Sequence, residues 1–340
     1  INGRPVGDEG DYAKAIERSR GMVRVQWFSR VRGSVKSGEV ALAAAAGAEE
    51  APTRLEIVNA VWGQRGYDFA PRYVDLIKTH YHGHFAELDF AAGPDAARDQ
   101  VNQWIYAKTH RRVRNLLGRE AVTRDSRLVL TNTLYFKGLW ERPFATHEAG
   151  LEWQSGEGTE SSVRVPAMSQ TDVFGYVETP LYQAVELPYQ ESSLALVLVL
   201  PKAQLPWDDF QSSLKSSRTL AALAEMKPTR VRVRVPKFRI ATTLALEELL
   251  EPKMPEAFSE EADFGGMSGK GKLKISSVVH MAYITVDEQG TEAGAATAAA
   301  ITLKTTPDAH FIANRPFHFL LHHRPTRTPL FVGHVKMPEE

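Results

Sequence analysis

A chain of 340 residues, 43% hydrophobic and 24% charged, carries enough apolar material for a large core and falls outside the composition of disordered segments. Lysine plus arginine equals aspartate plus glutamate at 41 each, so no overall field steers the protein toward nucleic acid or an anionic membrane. Cysteine is absent, which excludes disulfides, thiol nucleophiles and cysteine-bound metal, and no uninterrupted apolar run approaches the roughly 20 residues of a membrane-spanning helix.

Residues 1–54 are rich in Arg, Gly, Ala and Glu, and the alanine cluster Ala41–Ala46 favours helix by propensity, so a helical region is expected there. The chain starts without methionine and Ile1-Asn2-Gly3-Arg4-Pro5 does not read as a signal peptide. The compartment stays open, with an extracellular setting favoured over a cytoplasmic one. Leu55–Trp62 reads as a strand, Tyr73–His80 has helical spacing, and Phe85–Phe90 alternates as a strand. From Asp95 to Leu117 the apolar residues Val101, Trp104, Ile105, Val113 and Leu116 predict a long amphipathic helix and its exit. Leu128–Phe136 is a nearly continuous apolar run of strand length, as expected of a central strand buried on both faces. Later strands are predicted at Val163–Val165, Ala184–Leu187, Leu194–Leu200, Val231–Val235, Lys274–Val286, Phe317–His322 and Leu330–Val335. In Val231-Arg232-Val233-Arg234-Val235 the alternation is strict, placing one face on the core and one in water. Helices concentrate in the first half and strands in the second, which argues for an α+β fold.

Enzyme motifs are missing. Gly266-Met267-Ser268-Gly269 lacks the G-x-S-x-G spacing of a nucleophile elbow, and neither a P-loop nor a dinucleotide glycine motif is present. His80, His82 and His84 alternate as H-x-H-x-H, which could hold a metal on an extended segment, but no nearby carboxylate pattern completes a site, so a helix end passing into a strand with exposed histidines is the preferred reading. The basic group Lys108, His110, Arg111, Arg112 and Arg114 reads as the charged last turn of a helix rather than a polyanion site. No metal and no cofactor are expected.

The most informative segment is Glu288–Ala300, small side chains almost throughout, which can be a loop in one state and an added strand in another. Around it stand Asn132-Thr133-Leu134-Tyr135-Phe136-Lys137-Gly138-Leu139-Trp140 with Arg142-Pro143-Phe144, then Val165-Pro166-Ala167-Met168, Leu187-Pro188-Tyr189, Leu198-Val199-Leu200-Pro201-Lys202 and Val235-Pro236-Lys237-Phe238. With Val286-Asp287-Glu288-Gln289-Gly290-Thr291-Glu292-Ala293 and Asn314-Arg315-Pro316-Phe317 through Gly333, these ordered motifs resemble the serpin family over about residues 55–340. Residues 1–54 depart from it, lacking the usual N-terminal helices.

The resemblance implies a single serpin domain over residues 1–340, with three mixed or antiparallel β-sheets, a helix-rich N-terminal half and an exposed reactive-centre loop at residues 288–310. It implies a monomeric suicide inhibitor of trypsin-like serine proteases, not an enzyme, with no nucleic-acid or membrane partner. The cleaved loop would enter the main sheet and trap the acyl-enzyme. Counting from Glu288 as the hinge glutamate places the reactive bond at Lys304–Thr305, with Leu303 as the alternative bait residue. Glu288 and Gly290 open the hinge, and Thr291, Ala293, Ala295, Thr297 and Ala299 form the alternating set without a large or charged member. Asn132 and His280 would be gate residues, while Trp140 and Lys237 would lie with Glu288 where the loop first enters. A non-inhibitory carrier or chaperone-like member and a cross-class inhibitor of cysteine proteases remain alternatives.

Overall fold

The computed structural model describes residues 52–154, 162–214, 225–269, 273–291 and 306–338, and the backbone of three strands between residues 15 and 43. Those strands, β1 (Ala15–Ser19), β2 (Met22–Val31) and β3 (Ser34–Ala43), form an antiparallel sheet in that order. The expected helical region is thereby corrected. β2 is rich in β-branched and aromatic residues, and it pairs with β3 over ten residues, which draws Ala41–Ala43 into a strand against their intrinsic helix preference.

The chain divides into two compact units, the first made of residues 1–46, 55–135 and 241–283, the second of 47–54, 136–240 and 284–340. In chain order, β4 (Thr53–Gln64), α1 (Pro71–His80), β5 (His84–Leu88) and α2 (Pro94–Lys108) lead into β6 (Leu128–Leu139). The second unit continues with β7 (Ala145–Trp153), β8 (Val163–Glu178), β9 (Tyr182–Pro188), β10 (Leu194–Pro201), α3 (Trp207–Leu214) and β11 (Lys227–Pro236). Next come β12 (Phe238–Ala245), α4 (Glu247–Leu250) and β13 (Ile275–Val286). Last are β14 (Gly290–Thr291), β15 (Ala309–Ile312), β16 (Phe317–His323) and β17 (Thr328–Val335). Among the described residues the two longest helices, α1 and α2, fall in the first half, among strands.

In the first unit β4 pairs in parallel with β5, and α1 supplies the crossover that a parallel pair requires. Helix α2 starts on Pro94 and buries Ala97, Val101 and Ile105, four residues apart, in a core with Trp62, Phe90 and Val129. Asn102 ties the returning chain to α2, its amide donating to the Leu117 carbonyl at 3.0 Å and accepting from the Leu117 N–H at 2.8 Å. His80 and His82 are exposed as expected, but His84 is not: its ring stacks on Trp104 at 4.5 Å and meets Trp62 edge-on, because β5 turns it onto the aromatic core.

The second unit is built on a sheet ordered β15-β11-β8-β9-β10-β16-β17, with β7 also on β8. All eight residues of β10 are buried, as its unbroken apolar sequence requires. At the end of β8 Glu178 accepts from Lys202, Tyr176 and Gln183, and these bonds, led by Lys202, hold its carboxyl down at about 2 from 4.5. A depressed folded pKa contributes stability above the unfolded value that is lost as pH falls through the folded one. Glu178→Gln should therefore flatten the loss of thermal stability between pH 4.5 and about 2, by no more than about 1 kcal/mol because the pair is half exposed. Melting curves across that range that match the parent's would remove Glu178 from the acid response.

Candidate functional site

From Ile275 to Tyr283, β13 pairs in parallel directly with Leu128–Tyr135 of β6, so no strand lies between them along this stretch. At its middle Asn132 and His280 stand opposite each other in register, with His280 Nδ1 2.6 Å from Asn132 Oδ1. The Asn132 amide donates in turn to Asn59 Oδ1 on β4, at 2.5 Å. A chain of polar side chains thus links three strands of the first unit, and in a half-buried setting such bonds are stronger than on a wet surface. The two residues expected at the gate are brought together; Asn59, a polar residue within a strand pattern, carries no signal of its part in the sequence.

In the second unit the ends of the same two strands part around β14. Thr291 pairs with Val286, while Gly290 and Thr291 pair antiparallel with Leu139 and Gly138 of β6. The turn that returns the chain is held by Asp287, whose N–H donates to the Gly290 carbonyl at 2.8 Å and whose Oδ1 accepts from the N–H groups of Gln289 and Gly290 at 2.8 and 3.1 Å. Burial nonetheless pushes the Asp287 carboxyl above its ordinary value. Gly290 is required on two counts: its φ is +154°, and a Cβ there would lie 1.9 Å from the Gly138 carbonyl oxygen.

Thr291 is fully buried and its hydroxyl lies 2.7 Å from the Tyr189 hydroxyl. Tyr189 is itself buried, which drives its phenol pKa far up, and it stacks on Trp140 at 4.6 Å with Phe136 edge-on. Trp140 grips the turn twice, through its indole N–H to the Asp287 carbonyl and its backbone N–H to the Gln289 carbonyl, both at 2.9 Å. Phe144 N–H donates to the Glu288 carbonyl at 2.7 Å. The Glu288 side chain accepts from Thr146 at 2.8 Å and from Lys237 at 3.1 Å. Burial opposes the charge on Glu288, but hydrogen bonds from its own backbone N–H, Thr146 and Lys237 outweigh it and bring the carboxyl below its usual range.

The structure therefore gathers Trp140, Lys237, Glu288, Gly290 and Thr291 around one turn. Ala293, Ala295, Thr297, Ala299, Lys304 and Thr305 lie outside the described residues. Tyr189, Thr146 and Asp287 belong to the site without having been singled out. Tyr189 sat within the quoted Leu187-Pro188-Tyr189 motif and Asp287 within the hinge motif; Thr146 carried no signal. What these residues supply is backbone pairing for β14 on both sides and a buried hydroxyl pair, Thr291 with Tyr189.

The profile of the family described as Serpin (serine protease inhibitor) matches residues 18–338. An uncharacterized serpin-like protein of Thermococcus kodakarensis is 35% identical over 298 residues, covering 86% of this chain and 68% of the relative. The leukocyte elastase inhibitor of Bos taurus is 33% identical over 305 residues, covering 85% of this chain and 79% of the relative. Among solved structures, human thyroxine-binding globulin complexed with thyroxine superposes with a TM-score of 0.76 at 26% identity, covering 86% of this chain and 77% of that one. Serpin48 of Tenebrio molitor gives 0.74 at 25% identity, covering 86% and 79%. With the family profile spanning nearly its whole length, and relatives of this identity covering most of it, this chain belongs to the serpin family of serine protease inhibitors.

Proposed function

We propose that the protein is a suicide inhibitor of trypsin-like serine proteases, with Lys304–Thr305 as the bait bond. The protease serine would attack the Lys304 carbonyl, releasing the chain that begins at Thr305 and leaving Lys304 esterified to the enzyme. The freed segment would then continue β14 down between β6 and β13, carrying the acyl-enzyme away before water can hydrolyse it.

The observation that carries this reading is the placement of β14, already antiparallel to both flanking strands at the point where they part. Full insertion would exchange one parallel ladder, β6 with β13, for two antiparallel ones, each more stable per residue. The gate pair Asn132–His280 would have to open for the strand to pass, and the Lys237–Glu288 contact would fix where it enters. Thr291, Ala293, Ala295, Thr297 and Ala299 supply side chains small enough for a close-packed interior, where a larger group costs about 1–3 kcal/mol. A lysine at the bait position matches a pocket with an aspartate at its base.

Mixing the protein with trypsin and resolving the products by denaturing electrophoresis tests this. A band at the summed mass, with a released fragment starting at Thr305, is expected. Clean cleavage with no covalent band would favour the second reading, a non-inhibitory member, to which the likeness to thyroxine-binding globulin lends some weight. Lys304→Ala should slow trapping of trypsin at least 100-fold while leaving the melting temperature unchanged; an undiminished rate would move the bait to another residue.

A further inference from the structure

The alternation in β11 buries Val231, Val233 and Val235 completely and sets Arg230, Arg232 and Arg234 on the opposite face. Their cross-strand neighbours on β8 are Val173, Thr171 and Ser169, and on β15 His310 stands opposite Arg232 and Ile312 opposite Arg234. None of these positions is a carboxylate. Asp172 is in register with Val231 instead and is paired with Arg142, while Asp308 borders only the Arg230 end of the row. Nε of Arg234 is buried with no hydrogen-bond partner. Such a row concentrates positive charge on a molecule whose formal net charge is zero.

Its place in the chain says what could meet it. β15 is the first described strand after the bait bond, and Ala309 lies five residues beyond Lys304, at most about 18 Å along a fully extended chain. A protease of ordinary size has a radius of gyration of about 17 Å, so an enzyme seated on that bond overhangs β15 and β11. We infer that Arg232 and Arg234 form a docking surface for an acidic patch on the same protease that the loop engages, which rests on the inhibitor reading above. The surface selects among proteases with the same lysine-accepting pocket by charge, acting on the rate of encounter.

Two trypsins of opposite net surface charge provide the test. In about 0.05 M salt, Arg232→Glu/Arg234→Glu should slow covalent trapping of the anionic trypsin tenfold or more, leave the cationic one unslowed, and converge on the parent in about 0.5 M salt. Arg232→Glu alone, at an exposed position, guards against a folding defect in the pair, and Arg232→Lys should restore most of the rate. Equal slowing of both trypsins, or none, overturns the surface. So does arginine-dependent retention on a sulfated polysaccharide with protease rates unchanged. Titration with anionic trypsin whose catalytic serine is replaced by alanine separates the two claims. Loss of covalent trapping in the parent would sink the inhibitor reading, whereas loss of Arg232-dependence in this non-covalent binding would sink the surface.

Discussion

A Thr291→Arg variant is expected to be cut by its target protease without holding it. Thr291 is fully buried, with its hydroxyl on that of Tyr189 in a pocket walled by Trp140 and Phe136. Among the described residues the carboxylates nearest in the sequence, Asp287 and Glu288, are already engaged by the turn's N–H groups and by Thr146 and Lys237, and a buried charge left unpaired costs at least about 3 kcal/mol. Thr291 is already buried before cleavage, so the charge first drives the hinge out of its slot. After acylation, strand insertion must put it back while hydrolysis competes, and a re-entry penalty of that size shifts the partition about 100-fold toward release. The measurement is the number of inhibitor molecules consumed per protease inactivated, with the covalent band read in parallel. It should rise from near one to many, while the rate of loop cleavage holds. A variant that traps as efficiently as the parent would show that trapping does not need Thr291 in the sheet, and the proposed mechanism would fail with it.

The parts of this fold that the amino-acid order announced are those governed by local periodicity. Leu128–Phe136 is the body of β6, Leu194–Leu200 is nearly all of β10, and the arginine–valine alternation is the centre of β11. Each has a pattern that only one environment satisfies: two buried faces, or one buried and one wet. Tyr73–His80 emerged as α1 within two residues for the same reason. Strand β8 shows the limit. Only Val163–Val165 was legible, but the strand runs to Glu178, because its buried side switches after Ala167 and Met168 and breaks the period. Strands β1 to β3 show another limit, since long-range pairing overruled the helix preference of an alanine cluster.

Site residues divide along a similar line. Trp140, Lys237, Glu288, Gly290 and Thr291 could be named because they sit in motifs with recognisable neighbours, and the structure draws them to one turn. Tyr189 touches Thr291 across 102 positions and Thr146 touches Glu288 across 142, and no local pattern foretells a contact at such separation. Asn59 is the same case at 73 positions from Asn132. A polar residue inside a strand reads as solvent-facing unless its partner is known. Only the assembled sheet reveals that Asn132 and His280 belong to a chain of three side chains rather than a pair.

The second large effect is expected at Gly290. An alanine Cβ would lie 1.9 Å from the Gly138 carbonyl oxygen and 2.7 Å from Leu139 Cα, both backbone atoms that cannot step aside cheaply. The φ of +154° adds about 1–3 kcal/mol for any residue with a side chain. Two residues of pairing hold β14 in place, so the least costly relief is for Gly290 and Thr291 to leave the slot. Tyr189 would then lose its hydroxyl partner, and Trp140, stacked on Tyr189 and bonded to the turn, would change its surroundings. Gly290→Ala should therefore shift tryptophan emission, lower the melting temperature by about 4 °C for a loss near 3 kcal/mol, and raise the inhibitor consumed per protease several-fold. The last effect should be smaller than that of Thr291→Arg, since a methyl group can be absorbed by local displacement and a desolvated charge cannot. An alanine variant with unaltered emission, melting and stoichiometry would mean that the hinge does not dock between β6 and β13 before cleavage, and the seed for insertion would have to lie further along the loop.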